Sequence, residues 1–239
     1  MPGKKPAYRR VVLKISGESL CVDGGQGIDP AAVAFIAREI QRGAETGVQL
    51  AVVIGGGNIC RGAELAATGL ERVVCDHMGM LATVINALAL QDALEKLGPE
   101  VRVQTAITMA DVAEPYIRRR CMAHLDAGKI CILAAGTGNP FCSTDTAAVL
   151  RAREIGADIL LKATKVDGVY DDDPLKNPKA KRFTKLTAKQ ALDRNLRVMD
   201  LTALTTAIEG KLPILVFDLR KPGNIRRALR GTRVGTLIT

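Results

Sequence analysis

Four short stretches combine cations, glycines and hydroxyls in a way that suits phosphate chemistry. The first is Lys14-Ile15-Ser16-Gly17-Glu18. A lysine at a strand end followed by Ser-Gly sets a cation beside exposed backbone N–H groups. Taken alone, these residues are better explained by a surface lysine before a turn. The second is Gly55-Gly56-Gly57-Asn58, with Arg61 and Gly62 a helical turn later. Consecutive glycines let a ligand approach the main chain, and their N–H groups make an anion nest. Arg61 adds a fork of donors for phosphoryl oxygens. Three glycines exceed what a tight turn needs, which favours a binding role. The third runs from Gly136 through Thr137, Gly138, Asn139, Pro140, Phe141, Cys142, Ser143 and Thr144 to Asp145. It opens a helix at Ser143 or Thr144, and helix N-termini hold anions. Asp145 in the first turn reads first as complementing the helix dipole, the usual role of a single Asp there, with positioning of a lysine or a metal as the alternative. The fourth is Lys162-Ala163-Thr164-Lys165-Val166-Asp167-Gly168-Val169-Tyr170, followed by an acidic run to Asp173. Asp-Gly is explained by a turn, but the lysines and the tyrosine are not. They suit the phosphates and the base of a nucleotide.

Taken together, these stretches fit phosphoryl transfer between two anionic ligands, which needs charge neutralisation and alignment more than covalent chemistry. The chain has no G-x-x-x-x-G-K-[ST] loop, and Gly55-x-Gly57 lacks the third glycine of a dinucleotide fingerprint because position 60 is Cys. A Ser/His/Asp hydrolase is poorly supported, since neither His77 nor His124 has an elbow motif nearby. His77, beside Asp76 on a helix with apolar spacing at Met80, Leu81 and Val84, reads as a packed or interface histidine.

The elements that must position these stretches alternate. Nearly continuous apolar runs at 10–15, 49–54, 101–105, 130–135, 159–163 and 214–217 read as parallel strands covered on both faces. Between them lie helical patterns. Asp29 caps a helix with Pro30 at its first position, and a long helix over about 74–97 stops at Gly98-Pro99. Further helices are expected over 115–127 and 144–155, with a capping box at Thr187-x-x-Gln190 and an N-cap at Asp200. The order predicts an α/β fold, a three-layer αβα sandwich with a mostly parallel central sheet. Ligands in such sheets bind at the carboxyl ends of the strands, where all four stretches fall.

With 239 residues, 47% hydrophobic and 25% charged, the chain has the balance of a folded domain and is too apolar to be disordered. No apolar run approaches the roughly 20 residues of a membrane span, so no membrane partner is expected. The N-terminus does not read as a signal peptide. Six scattered cysteines without C-x-x-C or metal-ligand spacing read as buried small hydrophobes in a reducing, cytoplasmic setting without disulfides. The net charge of +9 invites a nucleic-acid reading, but aromatic residues are only 3% and the basic residues are dispersed. Arg118-Arg119-Arg120 and the Arg226 to Arg233 stretch read as surface, and nucleic acid is not an expected partner.

The motifs Leu13-Lys14-Ile15-Ser16-Gly17-Glu18, Val53-Ile54-Gly55-Gly56-Gly57-Asn58 with Arg61-Gly62, Asp76-His77-Met78-Gly79-Met80-Leu81-Ala82-Thr83, Ala135 to Phe141, Lys162 to Val169 and Val198-Met199-Asp200-Leu201 span nearly the whole chain. In these the chain resembles the bacterial UMP kinases of the amino acid kinase superfamily. The resemblance implies phosphorylation of UMP to UDP by ATP with Mg²⁺, in a homohexamer. It implies one domain over 1–239, with its N-terminal part mainly on UMP and its C-terminal part mainly on ATP. ATP would meet Lys14, Ile15, Ser16, Gly17, Gly57, Arg61, Thr164, Tyr170 and Asp173. UMP would meet Gly56, Asp76, Thr137, Gly138, Asn139, Pro140, Phe141, Cys142, Ser143 and Thr144, with Asp76 reading the ribose diol. Lys14, Arg61 and Lys165 would stabilise the transferred phosphoryl. Asp145, and more weakly Asp200, would orient a lysine or the magnesium.

Regulation by UTP as inhibitor and GTP as activator is also implied. Val22, Asp23, Gly24, Gly25, Gln26 and Gly27 occupy the segment tied to the GTP response, with Arg102 and Lys129 as cations of the effector site. Gln91 and Glu95 stand where a basic residue often occurs, which counts against GTP activation. Cys60 and Cys142 take places that are commonly bulky, and Cys142 lies in the UMP loop.

Overall fold

The structure, a computed structural model, describes residues 7–174, 176–196 and 198–239, apart from the side chain of Ala63. Its strands are β1 (Arg10–Ile15), β2 (Gln49–Ile54), β3 (Val101–Thr105), β4 (Glu114–Pro115), β5 (Ile130–Ala134), β6 (Ile159–Thr164), β7 (Lys185–Leu186), β8 (Ile214–Asp218) and β9 (Gly235–Ile238). They form a single sheet in the order β4-β3-β5-β2-β1-β6-β8-β9-β7. Every pairing is parallel except β8 with β9. The helices are α1 (Pro30–Ala44), α2 (Gly62–Ala66), α3 (Arg72–Glu95), α4 (Arg118–Asp126), α5 (Thr144–Ile155), α6 (Ala188–Asp193), α7 (Leu201–Glu209) and α8 (Asn224–Leu229).

Strand alternation divides the core between two faces. Val11, Leu13, Ile15, Leu50, Val52 and Ile54 pack under α1, α3 and α8, while Val12, Ala51 and Val53 pack under α4, α5 and α7. This is the expected three-layer sandwich with a mostly parallel sheet. The helix starts also follow the sequence. Asp29 accepts from the Ala31 amide, Thr187 and Gln190 form a reciprocal capping box, and Asp200 accepts from the Ala203 amide.

Several boundaries differ for local reasons. β5 stops at Ala134 because Ala135 turns left-handed, at φ 60°. The helix expected from 115 starts at Arg118, because Glu114 and Pro115 lie beside β3 as the short edge strand β4. β7 and β9 carry no strong periodic signal and exist through pairing with each other and with β8. The expectation that nothing is long and apolar enough to span a membrane is corrected by α3, which reaches that length and composition. Its buried face, with Met80, Val84, Ala87, Leu90 and Leu94, belongs to the core beneath the sheet. The cysteines are all free, but only Cys21, Cys75, Cys121 and Cys131 are buried; Cys60 is half-buried and Cys142 exposed. Arg118, Arg119 and Arg120 are exposed, as are Arg226, Arg227, Arg230 and Arg233.

Candidate active site

Two lysines interrupt the apolar runs of adjacent central strands. Lys14 in β1 and Lys162 in β6 stand at paired register positions. Both are largely buried, and both converge on Asp145 in the first turn of α5. Lys14 Nζ lies 2.9 Å from Asp145 Oδ1, and Lys162 Nζ donates to Asp145 Oδ2 at 2.5 Å. Lys162 also donates to the Val198 carbonyl. Burial pushes the Asp145 carboxyl up, but the charges of Lys14 and Lys162 outweigh it and hold the group below the ordinary carboxylate range. Burial, helped by the nearby Lys14 charge, pulls Lys162 below the usual lysine range despite Asp145.

Asp145 therefore orients lysines rather than merely complementing a helix dipole. Asp200, the weaker candidate for that role, acts on Lys162 only through its charge and is also a strut. It caps α7 and accepts from the hydroxyls of Ser143 and Thr146, tying α7 to the start of α5. Lys162 belongs to this buried cluster, and the expected set omitted it. Its signal is a charge inside an otherwise apolar central strand, which is rarely left without a partner.

The three glycines divide into two kinds. A Cβ on Gly55 would lie 2.8 Å from the Gly17 nitrogen, and one on Gly56 would lie 2.7 Å from the Gly79 carbonyl oxygen and 3.0 Å from the Thr83 nitrogen. Close packing of main chain on main chain thus explains both. Gly57 has only the Arg61 side chain near it, at 3.7 Å, and is the glycine that leaves room for a ligand. Gly17 is wedged against this loop, its missing Cβ facing Asn58 Oδ1, Gly55 O and Gly57 N within 2.8 Å. Ile15 is fully buried, so its side chain belongs to the core.

The loop after β5 is built on left-handed residues: Ala135, Gly136, Gly138 and Phe141 all have positive φ. Asp76, on α3, reaches this loop. Its Oδ2 accepts from the Phe141 amide at 2.8 Å, while Arg72 Nε donates to both carboxylate oxygens at 2.9 and 3.0 Å. The Arg72 guanidinium also lies 5.5 Å from the Phe141 ring centre. Ser143 caps α5, accepting from the amides of Asp145 and Thr146. Asp76 and the loop expected to share one ligand are thus brought together, with Asp145 directly following.

Two cavities adjoin at Glu18 and Lys165. One, of about 760 Å³, is lined by Lys14, Ser16, Lys162, Thr164, Lys165, Tyr170 and Asp173, with Arg194, Asn195 and Leu196 closing it. The other, of about 510 Å³, is lined by Gly57, Arg61, Cys60, Glu64, Gly24, Gly25 and Gln26. Glu18 and Lys165 line both. Arg61 is held by Glu18 and, at 2.8 Å, by Glu64, whose hydrogen bond leads in raising its pKa. Lys165 Nζ pairs with Asp23 at 2.7 Å. Tyr170 donates to Asp167 Oδ1 at 2.6 Å.

The expected effector residues do not form one group. The 22–27 segment borders the smaller cavity at the carboxyl ends of the strands. Arg102, near the start of β3, and Lys129, just before β5, lie at the opposite rim, paired with Glu100 at 3.7 and 2.7 Å. Gln91 and Glu95 face each other one turn apart on the outer side of α3, the Gln91 amide donating at 3.2 Å.

The donor set does not fit a resident metal. Among the described residues no group of three His, Cys, Asp or Glu could hold an ion. Asp145 has its oxygens directed at two lysines, and Asp200 accepts from Ser143, Thr146 and the Ala203 amide.

Residues 9–218 match the amino acid kinase family. The uridylate kinase of Xanthomonas oryzae pv. oryzae is 56% identical over 232 residues, covering 97% of each chain. The solved UMP kinase of Bacillus anthracis superposes with a TM-score of 0.94 at 42% identity, over 97% of this chain and 96% of that one. That of Ureaplasma parvum gives 0.91 at 35% identity, over 97% and 98%. Buried lysines on a shared aspartate, glycine loops and paired cavities at one sheet rim, and likeness over nearly the whole length agree: the chain belongs to the amino acid kinase family, among the uridylate kinases, and is a phosphotransferase.

Proposed function

We propose that this enzyme transfers the γ-phosphoryl group of ATP to UMP, giving UDP and ADP. The observation that carries the reading is the Lys14–Asp145–Lys162 cluster, whose lysines line the larger cavity and whose aspartate directly follows the loop from Thr137 to Thr144. A UMP phosphate oxygen attacks the γ-phosphorus, the bond to the β,γ-bridging oxygen breaks, and ADP leaves with that electron pair. The attacking phosphate is already ionised, so the protein's contribution is alignment and charge neutralisation.

In this reading ATP occupies the larger cavity, with Tyr170 toward the base and Lys14 and Lys165 toward the phosphates. UMP lies along Gly56, Asp76 and the loop from Thr137 to Thr144. Arg61 serves both nucleotides from the smaller cavity. Its partners Glu18 and Glu64, 40% and 69% exposed, give way to a phosphate, since exposed pairs are worth only ~1 kcal/mol or less. Magnesium enters as part of the ATP substrate, because the protein's own central carboxylate is directed to lysines.

The whole chain acts as one unit, in a cytoplasmic homo-oligomer of six copies. Its support is an exposed apolar stripe on α3, where Val74, Met78, Leu81 and Ile85 are each 40–49% exposed. His77 is also exposed there, so it is a histidine of this interface and is not packed within the chain. UTP inhibits by occupying the nucleotide site. GTP control is weakened, because Gln91 and Glu95 stand where a cation would be needed.

Coupled ADP release with UMP, CMP, carbamate and glutamate derivatives tests the assignment. UMP is expected to support turnover, and Arg61→Ala to lower it by about 10²-fold, the scale of one lost charge-stabilising donor. Activity with only a non-nucleotide acceptor, or undiminished turnover in R61A, overturns it.

A further inference from the structure

We propose that Arg151 is a positioning residue for the acceptor loop, acting from behind it through the carbonyl of Gly136. Arg151 lies on α5, largely buried, and does not line either nucleotide cavity. Its Nη2 donates to Gly136 O at 3.3 Å and its Nη1 to Glu154 Oε2 at 2.8 Å. The guanidinium lies 3.9 Å from the centre of the Tyr116 ring. Tyr116 in turn donates its hydroxyl to Glu154 Oε2 at 2.7 Å and its amide to Thr105 O at 2.8 Å. The arginine is thus fixed on three sides, and one fork of it is directed at the loop.

The loop needs such fixing. Ala135 at φ 60° and Gly136 at φ 58° are successive left-handed residues, and alanine adopts that conformation only when its surroundings impose it. From α3, Thr83 Oγ1 accepts the Ala135 amide at 2.7 Å. From β3's end, Ala106 backs Gly138, whose absent Cβ would lie 3.2 Å from Ala106 O. Arg151 supplies the third anchor, on the carbonyl between these two. Without it, the Gly136 peptide is free to rotate, and the residues from Thr137 onward lose their aim.

This inference rests on the loop's holding UMP, so its test has a part independent of substrate. In Arg151→Met, amide hydrogen exchange at Gly138 and Asn139 is expected to accelerate about 10-fold or more, the scale of one charge-assisted hydrogen bond. In steady state, KM for UMP should rise by a similar factor, with KM for ATP changed less than about twofold and kcat little affected. Arg151→Lys keeps a donor for Gly136 but cannot also stack and span to Glu154. It should show the same pattern at a few-fold smaller amplitude, and it carries the test if R151M does not fold. Unchanged exchange at Gly138, or equal shifts in KM for UMP and ATP, overturns the inference. Accelerated exchange in a protein whose wild type does not phosphorylate UMP keeps Arg151 as the loop's anchor and rejects only the substrate.

Discussion

At the scale of single residues, Asp145 is the most consequential side chain. It sits between two buried ammonium groups, and removing it leaves both charges without their counter-ion. Asp145→Asn should therefore destabilise the fold by about 3–5 kcal/mol, as expected for a broken buried pair, and abolish most turnover. The pH dependence follows from its lowered pKa. The stabilisation is fully present above the ordinary carboxylate value of the unfolded chain. It is lost as pH falls through the lower folded value. Urea unfolding of wild type and D145N across pH 2 to 7 should show a gap that is constant near neutrality and narrows in acid. A pH-independent gap would mean that the charge of Asp145 does not stabilise the fold.

Among the elements, the glycine loop after β2 is where packing and binding separate. Gly56 and Gly57 look equivalent as letters, yet only Gly56 is pressed against the main chain of α3. Gly56→Ala must push that helix away and should cost about 1–3 kcal/mol, the scale of overpacking. Gly57→Ala meets only the flexible Arg61 side chain and should unfold within ~0.5 kcal/mol of wild type while weakening nucleotide binding. Thermal unfolding beside KM measurements distinguishes the two variants, and equal destabilisation would contradict the packing argument. The same helix presents its opposite face outward, which leads to the assembly.

For the whole molecule, the exposed stripe of α3 is too apolar and too regular for a face kept in water. Leu81→Glu with Ile85→Glu places charges in the centre of the proposed interface. Sedimentation velocity should then show a species of lower mass than wild type, with the far-UV circular dichroism retained. An unchanged mass would place the interface elsewhere. The proposed interface lies on the same helix as Asp76, which accepts from the Phe141 amide in the loop after β5.

The sequence by itself determined the central strands, the capped helices and the rim that carries the chemistry. These follow from local rules: apolar runs for strands buried on both faces, side chains that satisfy orphan amides, and glycines where the backbone must bend. It also marked Lys14, Arg61, Asp145 and Lys165 as the charged groups. Tertiary structure decided what those groups do to one another. That Asp145 faces Lys14 and Lys162 depends on β1 and β6 pairing in register with α5 laid across them. That Gly56 is a packing glycine depends on α3 crossing it, and that Arg102 lies far from the 22–27 segment depends on strand polarity. The edge strands β4, β7 and β9 likewise exist only through their neighbours. Such facts arise from pairing over long sequence separations, where the partner's distance along the chain leaves no trace in the local pattern.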